Sequence, residues 1–207
     1  MMLLDLTVRE FLEELGSDSA VPGGGSASAL AGAAAGSLVQ MVARISTRKE
    51  ENPHLKGAQE KAAALTDRLS DLIQRDADAF AKVMQAFRLP KGTPEEKAAR
   101  SRAIEAAYHE AAAVPLEVME IGVEMLALAE VVAEHGIASA ISDACVASQL
   151  SWAAVQGAAY NVRINLPGIK DEEFVQQAQS RMEELLYAAD ESKLVVEKCL
   201  CQRTEAR

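Results

Sequence analysis

An aspartate stands where an apolar residue belongs. Leu65, Leu69, Leu72, Phe80, Val83 and Phe87 recur at helical spacing, and the position midway between Leu72 and Phe80 is Asp76. Burying a carboxylate is costly unless it is paired or hydrogen-bonded, and an uncompensated one moves its pKa upward. Asp76 is therefore a functional candidate, with a buried helix-to-helix hydrogen bond as the alternative. Its neighbours are ordinary: Asp71 with Arg75, and Asp78 with Lys82, are i,i+4 pairs expected on a solvated face.

The second concentration of chemistry is Pro22-Gly23-Gly24-Gly25-Ser26, which runs into an alanine-rich segment without charge as far as Ala43. Proline stops a preceding helix, the glycines permit unusual backbone angles and close approach, and Ser26 is a natural N-cap. The spacing predicts a bare helix N-terminus whose N–H groups can seat a carboxylate, a phosphate or developing negative charge. The alternative is a tight turn before a closely packed helix. Ser28, Gly32 and Gly36 recur every four residues, which gives that helix a flat face for close neighbours.

Two further helical faces carry polar groups. Arg100 heads a stripe through Ile104, Ala107, Ala111, Val114 and Val118, with Lys91 and Lys97 nearby. A guanidinium there can hold a carboxylate, or its stem can pack while its head reaches water. Asp143, Ala147, Leu150, Ala154, Gly157 and Asn161 share another face, with Asn165 one turn beyond. These end residues also suit capping, Ser142 and Asp143 at a helix start and the asparagines at its end.

Other chemistries lack their residues. There is no Gly-x-Ser-x-Gly elbow, and the glycine run has neither the Gly-Lys-Ser/Thr ending of a P-loop nor a preceding strand for a dinucleotide fold. Cys145, Cys199 and Cys201 fit no paired framework, and His54, His109 and His135 form no ligand pair on one helix face, so no metal is expected. The formal charge of −10 argues against a nucleic-acid partner. The uncharged Ala/Gly/Ser run is too weakly apolar for a membrane span. Without a secretory pattern at the start, a cytoplasmic location is the expectation.

These groups must be positioned by helices, because no stretch alternates apolar and polar residues long enough for a strand. The capping pattern Thr7-Val8-Arg9-Glu10 opens a short helix ending at Gly16. Longer helices are predicted over about 26–46, 54–87, 93–134 (with a kink or break at Pro115), from 138 or 142 to 164, and over 171–201. Short connections between them predict an all-α, single-domain antiparallel bundle of about six helices over residues 1–207, with the Ala/Gly-rich helix at its centre.

Taken together, the motifs resemble the cyclodeaminase/cyclohydrolase family of folate one-carbon metabolism. The resemblance rests on Pro22-Gly23-Gly24-Gly25-Ser26, Asp76-Ala77-Asp78-Ala79-Phe80, and Leu89-Pro90-Lys91 followed by Thr93-Pro94-Glu95-Glu96-Lys97. Ser142-Asp143 and Asn161-Val162-Arg163-Ile164-Asn165-Leu166 complete it, and the stretch His135-Gly136-Ile137-Ala138-Ser139 is a departure. The resemblance implies a homodimer with a folate cleft near the subunit interface and Asp76 as the catalytic carboxylate. It further implies that Gly23, Gly24, Gly25, Ser26, Lys91, Arg100, Asp143 and Asn161 bind substrate. The implied partner is a tetrahydrofolate derivative, with or without a polyglutamate tail, and no other cofactor is needed. Methenyltetrahydrofolate cyclohydrolase is the leading activity, because no formiminotransferase domain is fused to the chain. Formiminotetrahydrofolate cyclodeaminase is the alternative, and a non-catalytic folate-binding or helical interaction module is the rival from another class.

Overall fold

The computed structural model describes residues 2–48 and 51–205. Each helix begins where local chemistry starts it. Thr7 opens α1 (Val8–Leu15), accepting from the Glu10 N–H while the Glu10 side chain takes the Thr7 N–H. Helix α2 (Gly24–Ser46) has Gly23 as its N-cap, not Ser26, which lies inside the first turn. Asn52 caps α3 (Pro53–Phe87), and a second reciprocal box between Thr93 and Glu96 starts α4 (Pro94–His135). Helices α5 (Ile141–Asn165) and α6 (Glu172–Glu205) follow after short 3₁₀ turns. Ser142 and Asp143 fall within the first turn of α5, whose N-cap is Ala140, so neither is the cap that their type suggested. Among the described residues there is no strand.

The chain runs up and down. Helix α2 packs against α3, α5 and α4, while α6 lies along α4 and α5. One end of the bundle joins Ser46 to Ile137 by a hydrogen bond and stacks His54 on His135 at 4.8 Å. Arg203 adds bonds to the Glu134 and Gly136 carbonyls there. The departure at 135–139 belongs to this end. The other end gathers the start of α2, the second half of α3, the first half of α4 and the end of α5. Helix α2 is the one described helix long and apolar enough to cross a membrane, yet its small residues are packed between neighbours. Gly32 meets Leu69 and Ala154, Gly36 meets Thr66 and Met125, and Gly157 of α5 meets Ser28. A methyl group at these sites would crowd those side chains and require them to move.

Two expectations about the long helices change. Arg75 and Lys82 do not pair along α3; they cross to α4, where Arg75 meets Glu117 at 2.9 Å and Lys82 meets Glu110 at 2.6 Å. These exposed pairs each contribute at most about 1 kcal/mol and chiefly set how α3 lies on α4. Pro115 does not break α4, which runs uninterrupted for 42 residues.

The continuity at Pro115 has a donor from elsewhere. Proline has no N–H for the carbonyl four residues back, so Ala111 O loses its helical partner. Asn165 Nδ2 supplies one from α5 at 2.8 Å. Asn165→Ala should therefore cost about 1–3 kcal/mol. Adding Pro115→Ala, which restores an N–H for Ala111 O, should recover most of that loss. Denaturant unfolding of both single variants and the double variant measures the coupling, and independent, additive effects would disprove the tether.

Candidate active site

The start of α2 is built around Asp76. Its carboxylate lies against Gly25, where a Cβ would approach Asp76 Cγ to 2.5 Å. Gly24 is less demanding, since a Cβ there would meet Asn161 Nδ2 at 3.5 Å, an ordinary contact. No glycine among the described residues has a positive φ, so the run supplies space and not unusual backbone angles. The N-terminal seat read from the sequence thus holds an anion from the chain itself, with Asp76 placed at the positive end of α2.

Ser26 completes this arrangement. Its hydroxyl is 2.9 Å from Ile73 O and 3.1 Å from Asp76 Oδ2. A hydroxyl has one proton, so the two donations are alternatives. With Asp76 ionised, Ser26 donates to the carboxylate. With Asp76 protonated, the carboxyl can donate to Ser26 Oγ, which turns its own proton to Ile73 O. Both protonation states of Asp76 are hydrogen-bonded without moving a heavy atom. Burial pushes the Asp76 carboxyl above its ordinary 3.8, against the Ser26 hydroxyl and backbone N–H, which hold the ionised form.

Asp76 opens into a cavity of about 330 Å³ at the end of the bundle. Gly23, Gly24 and Gly25 form one side, Phe80 and Tyr108 supply aromatic surface, and Asn161 and Asn165 come from α5. Among the described lining residues Asp76 is the only charged one. The Tyr108 ring is held edge-on to Phe87 at 6.2 Å and lies against Gly168, where any Cβ would collide with it. Phe80 and Phe87, expected in the core stripe, are 40% and 44% exposed; Phe80 faces the cavity, and Phe87 braces Tyr108.

The other candidates are distributed differently. Asn161 lines the cavity, with Nδ2 donating to Gly157 O at 2.9 Å. Arg100 does not reach the cavity: it donates to Phe87 O and lies over the Phe87 ring at 5.5 Å, so it caps the end of α3. Lys91 is exposed in the α3–α4 connection at the same end of the bundle. Asp143 shares a helix face with Asn161, but 18 residues of α-helix separate them by about 27 Å, which puts Asp143 at the far end. Tyr108, Phe80 and Asn165 were not singled out as site residues, although Asn165 sits one turn beyond Asn161 on the face already noted. Tyr108 had one signal, as one of three tyrosines in an aromatic-poor chain.

An all-helical bundle with one partly buried carboxylate, bonded in either protonation state and facing an otherwise uncharged cavity, defines a protein suited to acid–base work on a flat or cationic ligand. The chain belongs to the formiminotransferase-cyclodeaminase family, whose model matches residues 7–184. It is 40% identical over 187 residues to a methenyltetrahydrofolate cyclohydrolase of Methylorubrum extorquens, covering 88% of this chain and 90% of that one. It is 34% identical over 207 residues to formimidoyltransferase-cyclodeaminase of Rattus norvegicus, covering 98% of this chain and 38% of that longer protein. The crystal structure of formiminotetrahydrofolate cyclodeaminase from Thermotoga maritima superposes with a TM-score of 0.85 at 29% identity, covering 96% of this chain and 97% of that chain.

The glycines separate by geometry. Gly25→Ala should destabilise the fold by about 1–3 kcal/mol through overpacking against Asp76. Gly24→Ala should change stability by less than about 0.5 kcal/mol. Unfolding curves for the two variants check this, and equal effects would remove the special role of position 25.

Proposed function

We propose that this protein is a methenyltetrahydrofolate cyclohydrolase, hydrolysing 5,10-methenyltetrahydrofolate to 10-formyltetrahydrofolate. The observation that carries the reading is Asp76, the only charged side chain on the described cavity wall, opposite uncharged amides and aromatic rings. The substrate carries its positive charge on the carbon between N5 and N10, and a lone carboxylate complements it. The cyclohydrolase relative, matched along nearly its full length, supports the choice.

The residues can perform the sequence of proton transfers. As water bonds to the cationic carbon, ionised Asp76 takes one of its protons and the neutral carbinolamine forms. Protonated Asp76 then gives that proton to N5 while the N5–carbon bond breaks. The carbinol loses its O–H proton to Asp76 as the formyl C=O forms on N10. Release of this last proton to solvent balances the reaction, with one cation and one water giving the neutral product and one proton. Ser26 keeps Asp76 hydrogen-bonded at every stage, and the raised pKa lowers the cost of its protonated form.

The cavity volume of about 330 Å³ suits the bicyclic head of the substrate, with the p-aminobenzoyl-glutamate tail leading out. Lys91 stands at that end as a partner for tail carboxylates, whether one glutamate or several. Arg100 acts through Phe87 and Tyr108, and Asp143 of the same protomer is remote from the head group. We place the protein in the cytoplasm as a homodimer. Helix α2 leaves Leu30 and Ala34 exposed on its outer face, which supports that assembly. A monomeric mass by light scattering at micromolar concentration would rule it out.

A specific observation also favours the cyclodeaminase reading. The Thermotoga maritima cyclodeaminase is matched over 97% of its own chain, so likeness to a chain of this length does not separate the two activities. In that reaction N10 attacks the formimino carbon and ammonia leaves, and Asp76 can move the same protons.

Asp76→Asn should lower kcat by about 10²–10⁴-fold on whichever substrate is used. Following loss of 5,10-methenyltetrahydrofolate absorbance, alongside ammonia release from 5-formiminotetrahydrofolate, ranks the two activities; binding without turnover by the unmodified protein points to the non-catalytic module. Lys91→Ala should raise KM and leave kcat unchanged. The folded state holds the Asp76 proton more tightly than the unfolded chain, so ionisation penalises folding above the raised pKa and the penalty vanishes below 3.8. Asp76→Asn should therefore melt at or above the parent at pH 7, with the difference shrinking as pH falls. A large loss of stability at pH 7 would make Asp76 a structural residue.

A further inference from the structure

Asn165 of α5 has committed both of its donors, and Asn161 one of its two. Asn165 Nδ2 bonds Ala111 O and Asn161 O, both at 2.8 Å, which uses both of its amide hydrogens. Asn161 Nδ2 bonds Gly157 O at 2.9 Å. The bond to Ala111 O also fixes which way the Asn165 amide faces. Pro115 leaves Ala111 O without a helical donor, so turning the amide over would set oxygen against oxygen there and leave a buried carbonyl unpaired. Asn165 Oδ1 is consequently a fixed acceptor. Among the described residues it has no hydrogen-bond partner and is not fully buried, and Asn165 lines the cavity.

We propose that Asn165 Oδ1 accepts a hydrogen bond from a ring N–H of the reduced pterin, making Asn165 a substrate-positioning residue held in register by Pro115. This rests on the folate reading of the cavity. With N5 bonded to the one-carbon unit, the reduced pterin keeps N–H groups at N3 and N8 and a free amino group, so it offers donors along its edge. The cavity offers the matching acceptors: the Asp76 carboxylate on α3 and the fixed Asn165 amide oxygen on α5. Asp76 serves the reacting carbon and its protons, whereas Asn165 is neutral and cannot titrate. Its contribution is orientation, fixing the ring so that the bridging carbon faces the carboxylate. The proline inside α4 is thereby part of the site, because it makes Asn165 donate to protein and leaves its oxygen for the ligand.

The tether and the ligand contact can be separated with one double-mutant cycle. In Asn165→Ala/Pro115→Ala the backbone N–H restored at position 115 serves Ala111 O, so the fold no longer needs the asparagine. The probe is 5-formyltetrahydrofolate, which keeps the N–H groups at N3 and N8 and can be titrated by calorimetry without turnover. Relative to Pro115→Ala, the double variant should unfold at a similar denaturant concentration yet bind the probe about tenfold more weakly, the loss of one hydrogen bond in a desolvated site. Asn165→Asp on the Pro115→Ala background keeps an acceptor without the donors and should bind within about threefold of Pro115→Ala. If the double variant recovers affinity along with stability, Asn165 is only a tether and the proposal is overturned. Should it stay destabilised, the aspartate variant decides: retained affinity supports the acceptor role, and a loss as large as alanine's refutes it. Binding of the probe by the parent protein without turnover of either folate substrate would instead refute the enzymatic reading and leave the asparagine contact standing.

Discussion

The structure depends on one close contact, the Asp76 carboxylate against the bare first turn of α2. A carboxylate partly removed from water must be compensated, and here Ser26 and the positive end of a helix provide the compensation. That is possible only if no side chain intervenes, which makes Gly25 a steric requirement. The requirement extends along α2. For α3 to bring Asp76 up to this turn, the two helices must stay close for their whole contact, and Gly32 and Gly36 remove the atoms that would separate them. Helix α5 approaches in the same way through Gly157 against Ser28, which brings Asn161 and Asn165 to the mouth of the same cavity. The small-residue shaft and the site are one design.

Ser26 explains why the carboxylate can work as well as sit there. A group fixed by several donors would be a strong acid and a poor proton acceptor, since each bond to the ionised form lowers its pKa. A group buried without donors would stay protonated. Asp76 lies between these cases, with burial prevailing over the Ser26 hydroxyl and N–H. Because that hydroxyl can turn to Ile73 O, Asp76 stays hydrogen-bonded whether it carries a proton or not, while burial tilts it toward the protonated form.

Much of this was legible in the sequence because it is periodic or local. Asp76 announced itself as a charge on an apolar stripe, and the two threonine capping boxes formed where their spacing placed them. What failed was position along a helix as opposed to around it. Asp143 and Asn161 share a face, yet a face runs the length of the bundle and a site occupies one end. Arg100 was correctly placed near the end of a stripe, but its carbonyl partner, Phe87 O, lies on a different helix. Phe80 and Phe87 obeyed the apolar period and are still partly exposed, Phe80 because a cavity needs apolar walls that are not covered and Phe87 because it braces the ring of Tyr108. Pairings between distant segments, Asn165 with Ala111 above all, leave no mark in local pattern. The mark was present in another form. A proline inside a continuous helix states that some donor must come from elsewhere.

The family holds proteins named for two reactions, and the site shows why one frame suits both. Hydrolysis and deamination pass through a tetrahedral carbon bearing N5, N10 and one further heteroatom, oxygen in the first and nitrogen in the second. In the proposed mechanism Asp76 serves either sequence, as base toward the entering group and acid toward the leaving one, and its two hydrogen-bonded states fit both directions. The remaining polar wall includes the amide oxygen of Asn165, and an amide oxygen accepts equally from water, from ammonia or from a ring N–H. Such a wall orients without choosing the heteroatom. Selection between the reactions then falls to whether N10 or a water molecule stands in line with the bridging carbon when the substrate is bound. In the proposed mechanism that is set by how the pterin and its tail lie in the cavity, so the residues proposed to hold the ring matter as much to the outcome as the carboxylate proposed to move the proton.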